Sequence, residues 1–290
     1  MNSLRITTIA ILLMFVSVGA AFAQMTTKLG DNAALRYWSA FAQMQDSALT
    51  DQQVKELRGI LDGPIPYDDS KYKDLVERNK AALETMIRAT AIPSCEWGVD
   101  YQLGPDAPVD YVRKALALGR LNVLYAFHLG IARDPEGAAR ALAAGLRFSH
   151  DVANGGTLFA TAAAKNLLVT HLRAVQFLLN DKERAPSSVQ QAAIRGTIAR
   201  LGPTGLDWQS AMKREFEVPL GLDANASAAL ARIVPVYLGV LNNPSGLSNL
   251  QQLRKTAPAP LPDIIPSPER VLEEKQDLIN RLQELRAQLH

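Results

Sequence analysis

One cysteine, four histidines and an aromatic fraction of 6% leave this 290-residue chain short of several kinds of chemistry. A lone Cys95 excludes an intramolecular disulfide. Its neighbours Ser94 and Glu96 supply no positive charge to stabilise a thiolate, so a nucleophilic role is not expected, and burial as a small hydrophobe is. His128, His150 and His171 fall 22 and 21 residues apart on successive helical segments, without the His-Glu-x-x-His spacing of a metal centre. Local hydrogen bonding is expected for them, with no metal and no cofactor. Gly-x-Ser-x-Gly, a Ser-x-x-Lys with its companion motifs and a phosphate-cradling glycine loop are all missing, which removes the common nucleophile and nucleotide signatures. A net charge of +2 with no dense Lys/Arg block argues against a nucleic-acid partner. Two carboxylate pairs, Glu96 with Asp100 and Glu215 with Glu217, are close in sequence, which says nothing about whether they face each other across a cleft.

What is present begins with "MNSLRITTIAILLMFVSVGAAFAQ". Arg5 precedes an apolar run from Ile9 to Val18, and Ala21-Phe22-Ala23 has the small-x-small form that signal peptidase reads. Residues 1–23 are therefore expected to be a secretory signal peptide cut before Gln24, placing the protein in the periplasm or outside the cell. No later stretch reads as long and apolar enough to cross a bilayer. An export signal implies an oxidising compartment, which reinforces the expectation of a buried Cys95.

Helical periodicity then runs through residues 24–255, with no alternating strand pattern, and the expected fold is all-α. Asp31 stands as a cap before Leu35, Trp38 and Phe41; Thr50 with Gln53 and Ser187 with Gln190 form capping boxes. From Val109 to Asn180 the pattern predicts three long helices, broken at Asp134-Pro135 and at Asn154-Gly155-Gly156. The first of them, apolar on more than one face from Leu116 to Ile131, is predicted to be central. Pro235 is expected to kink or break the helix from Ala224 to Leu241.

The stretch "LNVLYAFHLGIARDPEGAARALAAGLRFS", within Lys114 to Asn154, resembles a tetratricopeptide-type helical hairpin. Asp134-Pro135-Glu136-Gly137 makes the turn, and Ala138, Ala139, Ala141 and Ala143 are the small contact residues. About one repeat is covered; no second copy at that period follows. More broadly, "NAALRYWSAF", "SCEWGVDY" and the Ala/Leu-rich hairpins resemble a group of exported bacterial helical proteins of unassigned function. The resemblance implies an exported, helical-hairpin architecture and assigns no catalytic residues.

Two segments carry the functional expectations. In "IPSCEWGVDYQLGP", Pro93, Gly98 and Gly104-Pro105 make a turn-rich connection. Trp97 is expected to fold back and cap the bundle end. The alternative is a ligand-facing aromatic-acidic loop of Trp97, Asp100 and Tyr101. At the other end, the proline-rich residues 256–268 read as a stiff linker and residues 269–290 as a detached amphipathic helix. Val271, Leu278, Leu282, Leu285 and Leu289, with Lys275 filling the one gap, step by four and three residues as in a coiled-coil seam. They are expected to bind a partner protein or a second copy, held outward by the stiff linker, with packing back on the protein's own body as the alternative. The resulting functional expectation is an exported, non-enzymatic scaffold or binding protein. An envelope-polymer hydrolase and a carrier of small apolar ligands are the alternatives.

Overall fold

The structure, a computed structural model, describes residues 31–45, 49–181 and 185–289; the leader, its cleavage point and His290 lie outside them. Among the described residues every regular element is helical, apart from one isolated parallel bridge between Asn32 and Ser94. The fold is all-α.

Helices α1 (Ala33–Gln43), α2 (Asp51–Leu61) and α3 (Lys73–Ala89) form the N-terminal block. The predicted box at Thr50 and Gln53 is in place, so two backbone N–H groups at the start of α2 are satisfied from within the turn. The cap of α1 is Asn32 rather than Asp31: its amide oxygen accepts from Ala34 N–H at 3.1 Å and from Glu96 N–H at 2.9 Å, while its nitrogen donates to Glu96 O at 2.8 Å. An amide can donate and accept at once, which a carboxylate cannot.

The centre is made by α4 (Asp110–Ile131), α5 (Pro135–Ala153) and α6 (Leu158–Asn180), packed on one another in chain order. Arg133 takes a φ of 61°, and Asp134 N–H returns to Leu129 O and Arg133 N–H to Gly130 O, a Schellman ending to α4. Asp134 then caps α5 through Gly137 N–H at 2.8 Å. Close approach of α4, α5 and α6 depends on glycines: a Cβ on Gly119 would meet the Leu167 side chain at 2.4 Å, and one on Gly145 would meet the His171 ring at 2.2 Å.

Helix α7 (Ser188–Arg200) returns along α5. Then α8 (Trp208–Glu217), α9 (Ala224–Asn242), α10 (Leu247–Lys255), the short α11 (Leu261–Ile264) and α12 (Pro268–Gln288) complete the fold. Pro235 neither breaks nor ends α9, which is continuous across it. The carbonyl that loses its partner, that of Ala231, belongs to an exposed residue beside exposed Pro235, so water can satisfy it. Contrary to the sequence expectation, α9 is long and apolar enough to cross a membrane by length and composition, with only 28% of its apolar window buried; Arg232 sits within it.

The C-terminal segment is not detached. Leu278, Leu282 and Leu285 are fully buried, and Val271 and Leu289 nearly so, all in the same core as α4–α6. Helix α12 lies on α6, α7, α9 and α10. The apolar stripe is buried as a unit, and the surface it rests on is the protein's own body. Lys275, in the gap of the seam, donates to Leu241 O at the end of α9, where a cation satisfies a helix's last carbonyls. The proline-rich stretch is likewise no spacer. Leu261 and Ile265, four residues apart on one face, are buried, and Arg254 and Tyr237 pin Pro262 O and Pro266 O at 2.8 and 3.0 Å.

Candidate functional site

The loop from Ile92 to Pro105 is bolted to the C-terminal end of α5. Trp97 Nε1 donates to Asp151 O at 2.8 Å, Asn154 Nδ2 to Cys95 O at 2.6 Å, and an Arg147 guanidinium nitrogen to Pro93 O at 2.9 Å. The Trp97 ring stacks on Tyr111 with centroids 4.2 Å apart and lies near-parallel to Tyr37 and Phe41 at 5.7 and 6.1 Å. This is the end cap of the bundle. Asp100 is exposed and spends its carboxylate on Gln102 N–H at 3.0 Å. Tyr101 is buried, with the Arg214 guanidinium 5.6 Å from its ring centre. The three residues therefore point to different surroundings and share no cavity with the groove described below.

Beneath the cap sits a buried charge. Asp151, 1% exposed, accepts from Tyr37 OH at 2.7 Å and pairs with Arg147 Nε at 2.9 Å, off the axis of a hydrogen bond. Burial and the Asp151 charge together hold the Tyr37 hydroxyl far above its ordinary pKa, so it stays a donor. Cys95 is also buried, 3.7 Å from Asp151 O, and desolvation followed by that same carboxylate pushes its pKa up; the thiol is inert.

Arg147 links this node to an open groove of about 960 Å³ between α5 and α7 with the end of α3 at one side. Helix α5 contributes Glu136, Ala139, Arg140, Ala143 and Arg147; α7 contributes Val189, Ala192, Ala193, Gly196 and Arg200. Both sets recur at three, four and seven residues, so each helix turns one small-residue stripe into the groove. Val189 is 78% exposed. Arg140 and Arg200 have no ion-pair partner among the described residues, and Glu136 is the one carboxylate in the lining. Helix α7 docks through Ile194, Thr197 and Ile198, which are buried, and leaves Val189, Ala192 and Ala193 exposed.

Asp100, Glu215, Glu217 and the three histidines singled out in the sequence each have partners of their own. Glu215 accepts from Leu158 N–H at 3.0 Å and so caps α6 from 57 residues away, whereas Glu217 pairs with Lys213 and Arg214. His128 lies 2.9 Å from Asp69 and 3.4 Å from Glu77. His150 is 3.7 Å from Asp151. Among the described residues no group of three His, Cys, Asp or Glu side chains is placed to hold a metal.

His171 is enclosed between α4, α5 and α6: Nδ1 lies 2.9 Å from Leu167 O and 3.1 Å from Ser149 Oγ, and Nε2 lies 3.3 Å from Asn122 Nδ2. These partners fit a neutral ring with its proton on Nδ1. Burial lowers its pKa from 6.5 to about 4. The unfolded chain takes up a proton near 6.5 and the folded one does not, so the stability present above pH 6.5 is lost as pH falls toward 4. At pH 4.5 the loss from this group is roughly 2–3 kcal/mol. Urea unfolding at pH 7.5 and 4.5 should show His171→Asn losing less between the two pH values than the parent, by about that amount. Equal losses would place the acid sensitivity elsewhere.

No family model, curated protein or solved structure matches the chain. The likeness of Lys114–Asn154 to a tetratricopeptide-type hairpin thus rests on its own residues.

Proposed function

We propose that this is an exported, non-enzymatic helical binding protein whose α5–α7 groove takes an acidic amphipathic helix from a partner protein. The leader-like N-terminus supports the export. The observation that carries the binding role is the groove itself: two helices each offer a stripe of small residues, with Arg140 and Arg200 beside it lacking an ion-pair partner among the described residues. Small residues on both walls let a third helix approach to the 8–10 Å axis separation of packed helices. Arg140 and Arg200 would meet acids flanking that helix's apolar face, so charge sets orientation and choice of partner. A glycosidase-type hydrolase would need two carboxylates at a cleft, and the groove lining holds only Glu136. A carrier of apolar ligands would need an enclosed pocket, and this groove is open along one side.

The test is selection from a displayed library of amphipathic helical peptides on the full chain, with counter-selection on Gly196→Trp, which fills the groove. Glu and Asp should be enriched beside a small apolar face. Arg140→Glu with Arg200→Glu should weaken the selected peptides at least tenfold. Enrichment indifferent to Gly196→Trp, or enrichment of basic sequences, would refute the reading.

A further inference from the structure

A second cleft, of about 360 Å³, opens on another side of the fold, between α2, α4, α6 and α12. Its lining holds five cations, Arg58, Arg120, Lys165, Arg173 and Arg281, and one acid, Asp277. Lys165 is paired with Glu274 and Asp277, Arg281 with Asp277 and Arg173 with Asp62. The two cations of the lining left without an ion-pair partner among the described residues are Arg58 and Arg120, with Asp51 near enough to Arg120 to offset part of its charge.

Arg120 is half-buried, and desolvation followed by the charge of Arg58 pushes its pKa down, against a smaller upward pull from Asp51. A guanidinium does not relieve such a strain by losing its proton, because it keeps its charge in proteins. An anion between the two does relieve it. Two forked guanidiniums suit a doubly charged tetrahedral oxyanion, each taking two of its oxygens. The cleft is also larger than the anion needs. It lies within the roughly 300–1,000 Å³ of small-molecule sites, and its walls include Leu57, Leu61 and Leu116.

We infer that this cleft binds a phosphate monoester, its phosphoryl oxygens held between Arg58 and Arg120 and its organic group laid against Leu57, Leu61 and Leu116. The site is separate from the α5–α7 groove and does not rest on the peptide-binding reading. Since α12 supplies Asp277 and Arg281 to the same cleft, the ligand joins the C-terminal helix to α2, α4 and α6.

Calorimetric titration of the full chain with hexyl phosphate tests this, with hexanoate and chloride at matched ionic strength as controls. Saturable one-to-one binding of hexyl phosphate is expected, at least tenfold tighter than hexanoate. Arg58→Gln and Arg120→Gln should each weaken it tenfold or more. In anion-free buffer both variants should melt no lower than the parent, because each removes a like charge. A second arm uses vesicles with and without phosphatidic acid. Binding that needs the vesicles, fails with hexyl phosphate and is lost in both variants assigns the phosphate to a lipid headgroup. Binding of hexyl phosphate in solution assigns a soluble ester. Three results would each overturn the site: hexyl phosphate and phosphatidic acid acting no better than chloride, hexanoate binding as tightly, or binding that survives both substitutions.

Discussion

A chain ended at Thr256 is expected to lose its cooperative unfolding transition. The cut removes Leu261, Ile265, Leu278, Leu282, Leu285 and Leu289, all 2% exposed or less, together with Val271 at 8%. Full burial of one such side chain contributes about 1.5–3 kcal/mol, so the stripe as a whole is worth roughly ten or more. Total stabilities of single domains are about 5–15 kcal/mol. Loss of the ion pairs from Lys165 to Glu274 and Asp277 adds little, because the departure of α12 returns Lys165 to water. Apolar burial decides the outcome. Far-UV circular dichroism during heating, with dye binding to report exposed apolar surface, checks it. A truncated chain that melts within a few degrees of the full one would show α12 to be dispensable and return the seam to a partner-binding role.

Gly145→Ala should be among the most damaging single substitutions in the protein. In most exposed helices the change is favourable by about 1 kcal/mol. Here a Cβ would stand 2.2 Å from His171 Nε2 and Cδ2 and 2.6 Å from Asn122 Nδ2. Neither neighbour can retreat freely: Asn122 Nδ2 also donates to Ala141 O at 2.8 Å, and the His171 ring is held at both nitrogens. Overpacking of about 1–3 kcal/mol then combines with about 1–3 kcal/mol for each buried polar group that loses its partner. A net loss of roughly 3–6 kcal/mol is expected in urea unfolding. His171→Ala in the same chain should restore part of it by vacating the space. Wild-type stability in Gly145→Ala would mean that α5 and α6 separate without cost.

Much of the helical framework is legible in the sequence because its signals are local. Asp134-Pro135, Thr50 with Gln53 and Ser187 with Gln190 each carry their partner within a few residues, and the structure uses all three as caps. The apolar periodicity of Leu116 to Ile131 similarly announces a helix buried on most of its faces. Trp97 as an end cap is readable too, although its acceptor on Asp151 is not. The candidate groove left a weaker trace. Ala139 with Ala143 and Ala192 with Gly196 are spaced for one helix face, but small residues are equally suited to a buried contact, as Gly145 and Ala141 show.

Tertiary structure alone decides which surface an apolar stripe covers. The seam from Val271 to Leu289 states its spacing but not its partner, since hydrophobic burial is non-directional and any matching apolar surface satisfies it. Its own body is that surface, and the prolines meant to hold it away are folded into the contact through Leu261 and Ile265. The unpaired arginines depend on the fold in the same way. Arg58 and Arg120 are 62 residues apart and carry no motif. Packing of α2 and α4 beside α6 brings them to one cleft, where Asp62 and Asp277 pair with other cations. Caps and periodicity act over a few residues, so sequence determines the helices; charge and burial act through space, so only the packed fold determines what those helices leave free to bind.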